Sequence, residues 1–354
     1  MKNHLCILSL LIGISCFACN KNNSLNNSPT TDPNQDSTAI VDFKIDGLSF
    51  VSPPREFEAE LMGDIPKIGA GWIALSPFGF SQSNQDPQVR YSSSQWWGER
   101  PEGIRQIIDY ARQQDIKIML KPQVWIPNGW VGDYDPQTEE NWQRWEQDYR
   151  AFMMEFVTIA VDYQVDILCI GTEYKIATRV REAFWRSLIK DIRAVYSGQL
   201  TYASNWDNYQ NIPFWEELDL VGLDAYFPLL EDKTPEVESL LEAWKPTVSA
   251  IEAFQKEINK PIIFTEYGYL CVDGAAGKLW EIEKQVSQLA KNDLAQSNAY
   301  EALFQTFWDK KWFAGGFIWK WYIDDTYADL PYEKGYDPKG KACYETIKSW
   351  YNKQ

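Results

Sequence analysis

The sequence is almost without histidine: of 354 residues, only His4 is one. His4 falls in an N-terminal stretch that reads as removed on export, so the mature chain is expected to carry none. That excludes Ser-His-Asp and Cys-His nucleophilic systems and His-based zinc sites, and leaves acid–base chemistry to carboxylates, Lys, Tyr or Cys. Positive charge is also scarce. The 34 Lys and Arg stand against 50 Asp and Glu, a formal net charge of −16, which argues against a nucleic-acid or anionic-membrane surface. Cysteine is sparse beyond the N-terminus. Cys169, Cys271 and Cys343 are widely spaced and odd in number, with no C-x-x-C in the mature body, so they read as small buried hydrophobes rather than a disulfide framework. There is no Gly-rich phosphate fingerprint and no internal repeat. No metal site is expected. Aromatic residues, by contrast, are abundant at 15%, and the 17 Trp equal the 17 Phe. Such numbers in an acidic chain suggest flat apolar platforms as well as core.

The first 19 residues, MKNHLCILSLLIGISCFAC, have a basic start at Lys2 and an apolar run from Leu5 to Ala18. This is the pattern of a secretory signal, and the run is shorter than the about 20 apolar residues of a membrane-spanning helix. Residues 1–18 read as a lipoprotein signal, with Cys19 after Ala18 as the lipid-attachment residue. Cys16 after Ser15, or an ordinary cleaved signal with incidental cysteines, are the alternatives. Residues 19–40 read as a flexible tether: Asn20 to Thr38 are almost all polar or Pro and cannot bury a core. A coil of that length spans roughly 25 Å. The expected location is therefore the outer membrane, with an N-terminal lipid anchor as the only membrane contact. The lack of an acidic run after Cys19 points to the periplasmic face rather than the cell surface.

From Val41 onward, short apolar runs alternate with helical patterns. The runs are 43–51, 71–78, 116–124, 165–173, 200–206, 218–227, 261–269 and 314–322. Most show little polar alternation, as parallel strands covered on both faces do. Ile104, Ile107, Ile108 and Ala111 follow helical spacing. So do Trp142, Trp145, Tyr149, Phe152, Met153 and Phe156, on a helix opened by Thr138. Further helices are marked by Leu240, Leu241, Trp244 and Val248 (with a kink expected at Pro246), by Leu294, Tyr300, Leu303, Phe304 and Phe307, and by Ile347 and Trp350. Eight strands alternating with helices over residues 41–354 predict an α/β fold, a single (β/α)8 TIM barrel. A doubly wound open sheet is the alternative.

In a barrel the site is built at the strand C-termini. Two runs end in Glu: Glu173 in CIGTEY on strand four, and Glu266 in IIFTEYGY on strand seven. Their separation, 266 − 173 = 93 residues, matches three βα units of roughly 31 residues each. Strands four and seven lie nearly opposite around such a ring, so the two carboxylates face one another across its mouth. Glycoside hydrolysis uses such a pair, one to protonate the leaving oxygen and one to attack or stabilise the anomeric carbon; at about 5–5.5 Å separation the reaction retains configuration. A lone Glu after a strand is more often a cap or an ion-pair partner, but two at matched positions in a His-free, Trp-rich barrel favour chemistry.

The strings GTEYK, SNW, GLDAYFPL, PIIFTEYGY and GFIWKWY resemble glycoside hydrolase family 113, the β-mannanase family, in the large clan of retaining barrel glycosidases. The resemblance runs from about Asp42 to the end. It implies a (β/α)8 barrel without cofactor that hydrolyses β-1,4-mannosidic bonds in mannan, glucomannan or manno-oligosaccharides, with Glu173 as general acid/base and Glu266 as nucleophile. Thr172 departs from the clan, most members of which place Asn before the acid/base. Tyr226, ending strand six, resembles the clan's nucleophile-supporting tyrosine, with a core tyrosine as the alternative. Trp319 and Trp321, ending strand eight, offer indole faces for a sugar, and one of the two is expected to line the pocket. Gln123 and Trp125 end strand three, and Asn205 and Trp206 end strand five, as further substrate contacts. Residues 79–98, with Trp96 and Trp97, and residues 270–292, with Trp280, form long loops able to shape a groove. The expected partner is a polysaccharide or oligosaccharide, acted on by a monomer. A hydrolase of another β-linked glycan and a non-catalytic glycan-binding lipoprotein are the competing readings.

Overall fold

The computed structural model describes residues 43–91 and 95–353. The signal segment, Cys19 and the tether lie outside the described residues. Eight parallel strands close into a barrel in sequence order: β1 (Ile45–Phe50), β2 (Trp72–Leu75), β3 (Lys117–Leu120), β4 (Ile167–Thr172), β5 (Gln199–Asn205), β6 (Val221–Asp224), β7 (Ile262–Tyr267) and β8 (Phe313–Trp321). This is the expected (β/α)8 architecture, and the eight apolar runs each supply one barrel strand. Ring closure is a register between the first and last strands, Ile45 opposite Gly315 and Gly47 opposite Phe317. Gly315, at φ +93, brings its Cα against the Ile45 carbonyl, where a Cβ would lie 2.3 Å from that oxygen.

Six longer helices cover the ring: α1 (Pro101–Arg112), α2 (Glu139–Asp162), α3 (Glu182–Arg193), α4 (Val237–Ile258), α5 (Asp293–Phe307) and α6 (Cys343–Tyr351). After β5 the helix is replaced by two 3-10 turns, Tyr209–Asn211 and Trp215–Glu217. The apolar stripe of α1 is buried at Ile104, Ile107, Ile108 and Ala111. Thr138 caps α2, its side chain accepting from the Asn141 N–H at 3.2 Å. Pro246 lies inside the unbroken span of α4. Leu294, expected on the core face of α5, is instead 57% exposed in its first turn. The lumen holds a small cluster of its own, including Ile45, Met119, Ile167, Ala203, Ile263 and Phe317, separate from the larger core between strands and helices. Cys169, Cys271 and Cys343 are buried free thiols.

Two departures from regular strands shape the mouth. β2 and β3 each stop before a proline, Pro77 and Pro122, which has no N–H for the ladder. The chain then resumes as a second parallel pair, Phe78–Phe80 with Gln123–Trp125. The other departure is an extra residue near the ends of β4, β7 and β8. Cys169 and Thr172 on β4 face Thr201 and Ala203 on β5. Phe264 and Glu266 on β7 face Leu223 and Asp224 on β6. Ile318 and Trp321 on β8 face Leu48 and Phe50 on β1. Such bulges break the strict alternation of faces and re-aim side chains.

Candidate active site

Glu266 is buried at the end of β7, and three donors converge on its carboxylate. Lys121 forms an ion pair with Oε1, Gln123 Nε2 donates to the same oxygen at 3.1 Å, and Tyr226 OH donates to Oε2 at 2.9 Å. A carboxylate so surrounded is held in one orientation, with donors on both of its oxygens. The bulge on β7 is what allows this. Thr265 and Glu266 are neighbours that strict alternation would send to opposite faces, yet Thr265 bonds Asp224 while Glu266 bonds Lys121, itself paired with Asp224.

Glu173, half-buried at the end of β4, has different surroundings. Its backbone is left-handed, at φ +55, and its N–H donates to the Ala203 carbonyl at 2.8 Å. Trp130 Nε1, from the loop after β3, donates to Oε2 at 2.6 Å. Burial first, and then the negative charge of Glu266, push the Glu173 carboxyl up to about 7 against the opposing pull of Trp130 and Lys121. The charge of Glu266 thus bears on the ionisation of Glu173, favouring its protonated form.

Beneath them, Lys121 at the end of β3 is 1% exposed and Asp224 at the end of β6 is 0% exposed. Lys121 Nζ lies 3.6 Å from Asp224 Oδ1, and Thr265 Oγ1 donates to the same oxygen at 2.7 Å. Burial would lower the Lys121 pKa, but Asp224 and Glu266 outweigh it and hold the ammonium above its ordinary range. Burial, with repulsion from Glu266, holds the Asp224 carboxyl well above the usual carboxylate range. The Tyr226 phenol is pushed up by burial and then by the Glu266 charge, so it stays a donor.

The remaining predicted contacts divide. Gln123 and Tyr226 reach Glu266 directly. Thr172 is buried beside Glu173 with its hydroxyl unbonded. Asn205 is half-buried, its amide on Asp207 at 3.0 Å. Trp206 stacks on Trp280 of the β7 loop, with ring centroids 5.8 Å apart and planes 13° from parallel. Trp125 is 51% exposed on the second strand pair, edge-on to Phe80. Trp319 is half-buried, and the Trp319–Lys320 peptide bond is cis. Trp321 is a correction: it is 1% exposed and lies in the core between strands and helices, with Lys339 Nζ 4.8 Å from its ring centroid. Three positions past Ile318, which lies in the same core, and across the extra residue of β8, it faces the helix layer rather than the pocket. In the β2 loop, Trp96 meets Tyr327 of the β8 loop edge-on, whereas Trp97 packs against Phe57.

Sequence reasoning missed Lys121, Asp224 and Trp130. The first two had a signal, since each is a charged residue closing an apolar run, in IMLKP and VGLDAY. Trp130 sits in a loop, and nothing in its neighbourhood separates it from the other tryptophans.

Comparison with known proteins follows the same line. No curated protein matches the chain. Among solved structures, the β-mannanase of Alicyclobacillus acidocaldarius in complex with ManMIm is similar at 24% identity and a TM-score of 0.77, covering 89% of this chain and 99% of its own. A complex of a family 113 β-1,4-mannanase is similar at 23% identity and a TM-score of 0.76, covering 88% and 100%. The β-glucuronidase of Ruminococcus gnavus is similar at 16% identity and a TM-score of 0.59, covering 88% of this chain and 50% of its own. At these identities the likeness shows the fold. Membership comes from the sequence profile of Glycoside Hydrolase Family 113, which matches residues 55–341. The chain belongs to glycoside hydrolase family 113, and its substrate is a carbohydrate.

Proposed function

We propose that this enzyme hydrolyses β-1,4-mannosidic bonds of mannan, glucomannan or manno-oligosaccharides with retention of configuration. The observation that carries the reading is the contrast between the two glutamates. Glu266 is gripped by the donors Lys121, Gln123 and Tyr226, and Glu173 is raised to about 7. Glu266 attacks the anomeric carbon while Glu173 passes its proton to the departing glycosidic oxygen. The C1–oxygen bond breaks and a glycosyl ester of Glu266 forms. Water, deprotonated by the now ionised Glu173, then attacks C1; the ester bond breaks, Glu266 returns as carboxylate and Glu173 is reprotonated. Trp319 and the stacked Trp206 and Trp280 offer aromatic faces to the sugar C–H surfaces. The mannan substrate is supported by the motifs shared with family 113 and by the mannanases that resemble this chain.

The test is product sizing after incubation of residues 40–354 with mannan, glucomannan, xylan and cellulose. Mannan and glucomannan are expected to yield short oligosaccharides, and release from xylan or cellulose alone would overturn the substrate. Glu266→Gln is expected to lower kcat by several orders of magnitude with the melting temperature nearly intact; near-normal turnover would overturn the mechanism. We also propose that the enzyme is exported and held at the outer membrane, facing the periplasm, by a lipid on Cys19, a reading that rests on the N-terminal sequence.

A further inference from the structure

The double displacement above leaves one buried group without a task. Asp224 is fully buried, and its Oδ2 has no hydrogen-bond partner. Its Oδ1 accepts from Thr265 and lies 3.6 Å from Lys121 Nζ. A buried carboxyl with an unbonded oxygen is costly and is not explained by packing. Lys121 is sealed from water and touches two carboxylates, Glu266 and Asp224. When Glu266 becomes a neutral glycosyl ester, Lys121 loses the nearer of the two. A buried ammonium without a counter-charge is strongly unfavourable.

We propose that Asp224 is a positioning residue that holds Lys121 and balances its charge while Glu266 is esterified. This rests on the reading of Glu266 as nucleophile. While Glu266 is ionised, its charge works against an anionic Asp224; once it is esterified, that repulsion is gone and the attraction of Lys121 is undivided. Lys121 therefore stays in place through both halves of the reaction, ready to receive the Glu266 carboxylate when water releases the sugar. Asp224 stabilises the glycosyl-enzyme relative to the free enzyme.

The test uses Asp224→Asn, which keeps shape and removes charge, and a 2-deoxy-2-fluoro-mannosyl fluoride to trap the ester on Glu266. The variant is expected to form the adduct more slowly and to lose it about tenfold faster than the wild-type enzyme, because its intermediate is higher in free energy. Its melting temperature should also fall further on trapping than that of the wild type. Thr265→Val should shift both readouts in the same direction by less, and it carries the test if Asp224→Asn does not fold. Equal adduct lifetimes and equal melting shifts would overturn the inference, as would a lowered melting temperature of free and trapped forms alike. Failure of a wild-type adduct to form on Glu266 would instead overturn the nucleophile assignment itself.

Discussion

Glu173 and Glu266 are the same side chain in different surroundings, and the count of donors separates them. Three groups donate to Glu266, while Trp130 donates to Glu173. The consequence is a pH dependence with a fixed sign. In the proposed mechanism Glu173 carries a proton to the leaving oxygen, so kcat/KM for oligosaccharides is expected to fall as pH rises through about 7. Glu173→Gln, assayed on an aryl glycoside with a good leaving group, should lose that alkaline limb; a limb that persists would assign it to another group. Stability follows from linkage. A carboxyl raised from 4.5 to about 7 binds its proton more tightly in the folded state, so its contribution is full below pH 4.5 and is lost as pH rises through 7. Glu173→Gln should therefore gain stability over the wild type between pH 5 and 8, as read by urea unfolding across that range. Lys121 is the residue on which stability and chemistry meet. Replacing it with Met would leave Asp224 and Glu266 facing each other without a cation and should cost about 3–5 kcal/mol in the same assay at neutral pH.

At the scale of elements, the irregular ends of the strands matter more than their regular bodies. β4, β7 and β8 each carry one extra residue near the mouth, and each delivers a site residue just there: Glu173, Glu266 and Trp319. The left-handed backbone at Glu173 belongs to the same turn. A side chain at positive φ costs about 1 kcal/mol that glycine does not incur. Glu173→Gly should thus be about 1 kcal/mol more stable than Glu173→Ala, the reverse of the order in a helix, and thermal unfolding of the pair decides it. The helices were legible because their apolar stripes repeat locally; Ile104, Ile107, Ile108 and Ala111 needed only their own spacing to be placed. The bulges were not, because an extra residue is defined only against the neighbouring strand. Trp319 and Trp321 show this directly. Two residues apart, they would share a face under strict alternation; the extra residue of β8 against β1 instead buries Trp321 against the helices and leaves Trp319 half-buried.

For the whole molecule, ring closure is the decisive event. Lys121 and Glu266 are 145 residues apart in sequence and in contact in space. The loops after β5 and β7 meet through Trp206 and Trp280, and those after β2 and β8 through Trp96 and Tyr327, so the rim of the mouth is built from pieces distant in the chain. At this scale the N-terminal sequence also makes a prediction. If Cys19 carries the lipid, Cys19→Ser should move the full-length enzyme from the membrane fraction to the soluble fraction with its specific activity unchanged, as followed by fractionation and activity assay. Retention at the membrane would place the anchor elsewhere.

What the sequence determined by itself is whatever repeats or terminates locally: the eight apolar runs, the helical stripes, the near-absence of histidine, and the two glutamates that close their strands. What only the tertiary structure decided is which groups surround those glutamates, namely Lys121, Asp224 and Trp130, and which of the two tryptophans of β8 is buried against the helices. The reason is range. Hydrophobic periodicity acts over a few residues and can be read along the chain, whereas a buried ion pair between β3 and β7 exists only after the sheet has closed and its register has settled.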